Sequence, residues 1–256
     1  MSILKDYLLF RWEMIKVKLT ILGSHGPYPG ADGACSGYLV EDDDVNVLVD
    51  CGSGIIGRYQ KYHDLKDLKY IILTHLHSDH MADMLVLRYA LDIMMKKGYI
   101  DEPVNVYCPD EPSKVVEELK FNDVFKIKHI DEELKLNIGN FTITFKEMVH
   151  PVKTFAVKFD TCGKTFVFSS DTIYNDKLIS FANNADLFLC DGNLLNGEKG
   201  PHLTARQAAE ISKAAHCKKL VVTHLWPQHS IEEYEKEVSE VVNDASIAKP
   251  FEAYFV

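Results

Sequence analysis

Polar and apolar residues alternate along Ile15-Lys16-Val17-Lys18-Leu19-Thr20-Ile21-Leu22, which predicts a strand with one buried face opening just after Met14. A turn-rich loop follows at Gly23–Gly30. Two short runs, Ser36–Val40 and Val45–Val49, flank the acidic turn Asp42-Asp43-Asp44 and predict a hairpin. Asp50-Cys51-Gly52-Ser53-Gly54 breaks the second run and leads into a short helix near Ile55–Tyr62. Tyr70–Thr74 is predicted as a buried strand. Met81–Lys97, with apolar residues three and four apart, is predicted as a helix. Further strands are expected at Val104–Tyr107, Phe141–Val149, Phe155–Phe159, Thr165–Ser169, Leu187–Cys190 and Leu220–Thr223, and helices at Ala205–Ala215 and Ile231–Val242. Hairpins mixed with strand–helix alternation predict an α/β protein with two sheets and helices outside. With no linker or repeat visible, residues 14–256 are expected to form one domain, and residues 1–13 an N-terminal extension.

The residues able to bind a transition metal recur in one kind of place. His75, His77, Asp79 and His80 follow Ile71-Ile72-Leu73; His150 follows Phe141–Val149; Asp171 follows Phe166-Val167-Phe168; His224 follows Leu220-Val221-Val222. Strand ends in one sheet share an edge, so these imidazoles and carboxylates are expected to meet, as a metal site requires. Chance placement among eleven histidines is the competing explanation. The compact spacing at 75–80 together with three further strand-end residues argues against it.

Composition trims the possibilities. The 38 acidic residues outnumber 28 basic ones, for a formal net charge of −10, which disfavours a general nucleic-acid groove. None of the six cysteines pairs at Cys-x-x-Cys spacing, so free thiols and a cytoplasmic location are expected. No apolar run approaches the roughly 18 residues that span a bilayer.

These residues carry a family resemblance. Asp50-x-Gly52, Thr74-His75-Leu76-His77-Ser78-Asp79-His80, His150, Ser169-Ser170-Asp171-Thr172, His202-Leu203-Thr204-Ala205 and Thr223-His224 together resemble the metallo-β-lactamase-fold hydrolases, and within them the RNase Z-like branch. The resemblance implies a four-layer αβ/βα sandwich of two mixed sheets with the site at one edge. It implies one metal held by His75, His77, His150 and Asp171, and a second by Asp79, His80, Asp171 and His224. Zinc is the first expectation for both ions, with manganese or iron as alternatives. Such a pair shares a hydroxide that is nucleophilic near neutral pH.

Three residues are expected to handle protons: Asp79, His202 and Asp191. Thr204-x-x-Gln207 is a capping-box pattern, so His202 stands just before a helix start, where backbone donors attract anions. An exposed loop histidine ahead of an ordinary cap is the alternative. Asp191 occupies the place of a glutamate in RNase Z proteins, within Cys190-Asp191-Gly192-Asn193; an Asp191–His202 relay and a plain acidic turn are both open. His25 is expected to border the site without acting in it, and His63, His129, His216 and His229 to lie at the surface. Met81, Met84, Met94 and Met95 are expected as helix core.

The expected activity is a phosphodiesterase acting on a small or short substrate. The β-lactamases carry cysteine where Asp171 stands, glyoxalase II adds a C-terminal domain where 32 residues follow His224 here, and the diiron flavoproteins replace the histidine at 77. RNase Z proteins carry a long tRNA-clamping arm between the residues matching His150 and Asp171. Here 21 positions separate them, and Asp160–Lys164 reads as a hairpin turn. Transfer-RNA 3′ processing is therefore the alternative, beside lactone or ester hydrolysis and a non-catalytic metal-binding module. The likeness also suggests a homodimer.

Overall fold

Most central strands of this protein are apolar on both faces, because each face packs into a different core. In the computed structural model, which describes residues 17–42 and 45–256, Leu187 and Leu189 face one cluster while Phe188 and Cys190 face another. Val47 and Val49 likewise part company with Leu48, and Ile72 with Ile71. Strands covered on both sides lose the polar–apolar alternation of a half-exposed sheet.

The strands are β1 (Lys18–Gly23), β2 (Gly37–Glu41), β3 (Asn46–Val49), β4 (Tyr70–Ile72), β5 (Val104–Cys108), β6 (Phe125–His129), β7 (Leu136–Ile138), β8 (Phe141–Glu147), β9 (Phe155–Thr161), β10 (Lys164–Phe168), β11 (Leu187–Asp191), β12 (Leu220–Thr223), β13 (Ala245–Ile247) and β14 (Ala253–Phe255). They form two seven-stranded sheets, ordered β14-β1-β2-β3-β4-β5-β6 and β13-β12-β11-β10-β9-β8-β7. Each sheet is mixed: β1, β2 and β3 pair antiparallel and β3 to β6 parallel, while β7 to β10 pair antiparallel and β10 to β13 parallel. The helices are α1 (Ile55–Tyr59), α2 (Ser78–Met81), α3 (Met84–Lys96), α4 (Ser113–Leu119), α5 (Asp176–Phe181), α6 (Ala205–Ala214) and α7 (Ile231–Ser239).

Three cores separate four layers. The central one lies between the sheets and includes Phe141, Phe145, Phe155, Phe159, Phe166 and Phe168. Each such ring stabilises the fold by roughly 1.5–3 kcal/mol relative to exposure. A second core joins the first sheet to α1, α3 and α4; a third joins the other sheet to α5, α6 and α7. This is the expected αβ/βα sandwich. The turn at Asp160–Lys164 is a β9–β10 hairpin, also as expected. Met81 and Met84 are buried, and Met94 and Met95 pack against the second core.

Two expectations need adjusting. The helix expected over 81–97 starts three residues later, as α3, and Met81 closes the separate short helix α2, because Asp79 O accepts from Ser36 N (3.2 Å) and Asp83 N donates to Cys51 O (3.1 Å). Ser36, just before β2, and Cys51, just after β3, thus take over helical backbone partners at the break. The predicted first strand overlaps β1 from Lys18; its positions up to 16, and the extension at 1–13, lie outside the described residues, as do Asp43 and Asp44.

Candidate metal centre

The site occupies the carboxyl ends of strands from both sheets, so it lies across two sheet edges rather than one. Asp50 follows β3 and His75–His80 follow β4 in the first sheet; His150, Asp171, Asp191 and His224 come from the ends of β8, β10, β11 and β12 in the second. The sheets are tied at this edge by Phe155 N donating to Thr74 O (3.0 Å), Ser170 Oγ to Thr74 Oγ1 (2.7 Å), and the Tyr38–Thr223 hydroxyl pair (2.8 Å). Asp50, Ser170 and His224 all have positive φ (60°, 53° and 59°), an uncommon conformation for non-glycine residues that marks how tightly the edge is determined.

Two groups of ligand-type atoms converge here: His75, His77, His150 with Asp171, and Asp79, His80, His224 with Asp171. One carboxylate oxygen, Asp171 Oδ2, faces both groups, lying 3.6 Å from His75 Nε2, 3.3 Å from His80 Nε2, 3.9 Å from His150 Nε2 and 3.3 Å from His224 Nε2. Asp79 Oδ2 lies 3.1 Å from His224 Nε2 and 3.7 Å from His80 Nε2.

The surroundings decide which nitrogens these rings present. Asp50 accepts from Thr74 N (2.8 Å) and Thr74 Oγ1 (3.0 Å), and its Oδ2 also accepts from His80 Nδ1 (2.8 Å). His150 Nδ1 donates to Pro201 O (3.1 Å), and His75 Nδ1 faces Thr74 Oγ1 (3.3 Å). With a proton held on each Nδ1, the Nε2 atoms of His75, His80 and His150 point bare lone pairs inward. His77 Nδ1 meets two of them, at 3.1 Å and 3.2 Å. Lone pairs facing lone pairs and carboxylates repel unless a cation lies between them. Two buried polar atoms at the centre, His80 Nε2 and Asp171 Oδ1, have no hydrogen-bond partner. The donor set therefore fits a divalent metal.

Electrostatics carries the same demand for positive charge. Burial pushes the Asp171 pKa up, yet His224, His80 and His75 outweigh it and hold the carboxyl well below its usual range. Burial lowers His80, but Asp171, Asp50 and Asp79 outweigh that and push it well above the ordinary imidazole value, so that where no metal is bound a second proton on Nε2 takes the place of the cation. His75, with burial and His80 both acting against its charged form, is held far down.

His202 and Asp191 meet beside this cluster. Asp191 Oδ2 lies 3.1 Å from His202 Nδ1; it also accepts from Thr172 N (3.2 Å) and Leu203 N (3.4 Å), while Oδ1 accepts from Asn193 N (3.1 Å). Surrounded by donors, Asp191 makes Nδ1 of His202 the protonated nitrogen and leaves Nε2 as the other. Burial lowers the His202 pKa, but Asp191 with Asp171 behind it raises it to about 9. The capping box at Thr204 and Gln207 is present.

With this geometry the chain can be set against known proteins. Residues 45–225 match the Beta-lactamase superfamily domain. The chain belongs to the β-lactamase superfamily. Its relatives include a probable metallo-hydrolase, YhfI, of Bacillus subtilis, 31% identical over 91% of this chain and 97% of that protein. The YhfI crystal structure superposes with a TM-score of 0.90 at 30% identity, covering 94% of this chain and 100% of that one. Human tRNase Z, short form, shares the fold (TM-score 0.72, 20% identity, 93% and 98% covered), as does a diphosphatase of the PhnP family (0.74, 15%, 93% and 97%). This superfamily chain is a metallo-hydrolase whose His/Asp cluster suits divalent metal.

His25 accepts at Nδ1 from Gly30 N (3.2 Å) within the loop expected for it. His63 and His229, expected at the surface, are half-buried and pair with Glu41 (2.7 Å) and Glu198 (3.2 Å). His129 and His216 are exposed. Asp50 and Asn193 were not singled out as site residues. Asp50 gives the same signal as the others, an acid directly after a buried strand. Asn193, which donates from Nδ2 to Gly26 O (3.0 Å) and His224 O (2.8 Å), gives none. Among the described residues, no helix is long and apolar enough to cross a membrane.

Proposed function

We propose that this chain is a phosphodiesterase dependent on two divalent ions, zinc first, with residues 14–256 as its catalytic unit. His75, His77, His150 and Asp171 would hold one ion, and Asp79, His80, Asp171 and His224 the other. The observation that carries the reading is the single oxygen Asp171 Oδ2 facing both sets within 3.9 Å. Bound there, the ions supply an activated water and neutralise charge on the ester's non-bridging oxygens.

The chain's own residues do the rest. His202 lines a cleft of about 410 Å³ together with His77, Asp79, His150 and Asp171. With Nδ1 anchored on Asp191, His202 delivers a proton from Nε2 to the leaving oxygen. Asp191 keeps that imidazole charged before transfer, acting as a positioning residue. Asp79, open to the same cleft, takes up the proton lost by the attacking water.

A short β9–β10 hairpin stands where a tRNA-clamping arm would be, and the net charge of −10 also favours a small diester over transfer RNA. A cytoplasmic setting fits the six free cysteines. The test measures bound metal and turnover of bis(4-nitrophenyl) phosphate in wild type and Asp171→Ala. About two ions per chain and turnover in wild type, both lost in the variant, are expected. Equal turnover in both proteins overturns the reading.

A further inference from the structure

The mouth of the cleft carries two aromatic side chains that the fold itself does not use. Tyr28 and Trp226 line it beside His77, Asp79 and His202, yet neither belongs to any of the three cores, and Tyr28 is 42% exposed. Their polar atoms meet each other. Trp226 Nε1 donates to Tyr28 Oη (3.2 Å), and Gln228 Nε2 donates to the same oxygen (3.1 Å). Both rings line the cleft, and the Tyr28 O–H keeps its own proton to donate.

The ring surface is braced. The His229 ring meets Trp226 edge-on at 5.3 Å, and His229 is itself held by Glu198 at 3.2 Å. Trp226 N donates to Tyr234 Oη (2.9 Å). The strand-like stretch leading to Tyr28 is stitched to the one leading to Trp226 by Leu225 N donating to Ser24 O (2.7 Å) and Gly26 N to Leu225 O (3.1 Å). A fixed apolar surface a few residues from His224 loses little entropy on binding a flat partner.

We propose that Tyr28 and Trp226 form a specificity wall that seats a planar aromatic ring carried by a phosphate ester, whose phosphate lies at the Asp171 cluster. The phosphate half of this inference rests on the phosphodiesterase reading; the ring half does not. A cleft of about 410 Å³ lies within the range of small-ligand sites and suits a single ring with its phosphate better than a polymer. An aryl group and a nucleobase offer the same π-face, so the chemistry of recognition is shared between them.

The chain's other tryptophan is Trp12, so a Trp12→Phe background makes fluorescence report Trp226. Metal-loaded protein in that background is titrated with adenosine 5′-monophosphate, phenyl phosphate and ribose 5-phosphate, by fluorescence and calorimetry. At least one ring-bearing ligand is expected to quench Trp226 and to bind about fivefold or more tightly than ribose 5-phosphate. Which of the two does so separates the nucleobase from the aryl source. Tyr28→Ala, and Trp226→Ala read by calorimetry alone, should bring that ratio to within about twofold of unity, and Trp226→Phe should keep most of it. Metal content and circular dichroism confirm that each variant folds, and Tyr28→Ala carries the test if Trp226→Ala does not. Equal affinities in the parent protein, or a ratio that survives both alanine variants, overturn the wall. The same preparations are assayed on bis(4-nitrophenyl) phosphate. Turnover without a ring preference removes the wall and leaves the proposed function standing. A ring preference without turnover of this diester does the reverse.

Discussion

Asp50 Oδ2 accepts a hydrogen bond from His80 Nδ1 at 2.8 Å, and this contact decides which nitrogen His80 turns towards Asp171. Both residues are fully buried. Asp50 is in neither set of converging ligand-type residues, so its part in the site is to orient and polarise an imidazole. Replacing it by alanine removes the acceptor and frees the tautomer. Metal affinity in Asp50→Ala is expected to fall about 10- to 100-fold, read by competition with a chromogenic chelator. Unchanged affinity would assign Asp50 to folding alone.

Stripping the metal leaves a cluster of buried carboxylates and imidazoles without its counter-charge. A ligand present at 100 times its Kd contributes about 2.7 kcal/mol to stability, and for a chain of this size that corresponds to very roughly 5–10 °C in Tm. Dialysis against a chelator should therefore lower Tm by several degrees, and added zinc should restore it. Calorimetry with and without chelator measures this.

His202 gives a pH signature. Its pKa in the folded protein is raised to about 9 because Asp191 and Asp171 outweigh its burial, whereas an unfolded histidine titrates near 6.5. The charged His202–Asp191 pair therefore stabilises metal-free protein fully below about pH 6.5, and that stabilisation is lost as pH rises through about 9. The Tm advantage of wild type over Asp191→Asn should shrink across this window. In the metal-loaded enzyme, Asp191→Asn should move the alkaline limb of the kcat profile to lower pH, since the proton on Nε2 is held less tightly. A purely structural Asp191 would leave that limb in place.

Gly26 lies directly against the imidazole of His224, where a methyl group would overlap the ring. Gly26→Ala should push His224 out of line with Asp79 and Asp171. The expected result is a loss of turnover of about tenfold or more, with Tm also lowered by a few degrees, because His224 is buried and the overlap strains its surroundings by about 1–3 kcal/mol. Kinetics and calorimetry on one preparation separate the two effects.

The sequence alone determined the long, strongly patterned elements and the chemistry at their ends. Strands from β8 to β12, helices α6 and α7, the Thr204 cap and the ligand-type residues after each strand were legible because each depends on spacing within a few residues. The family likeness supplied the pairing of those residues into two sets. What sequence could not supply was anything decided by distant neighbours. β7, β13 and β14 have three residues each and β6 is mostly exposed, so their patterns are too short or too polar to stand out; edge pairing makes them strands. The break between α2 and α3 depends on Ser36 and Cys51 drawing away hydrogen bonds from two other loops. Asp50 on His80, Asn193 on His224 and Tyr28 against Trp226 join residues 30, 31 and 198 positions apart. A backbone period records what a residue's near neighbours bury, and only the folded chain decides which far side chain completes its hydrogen bonds.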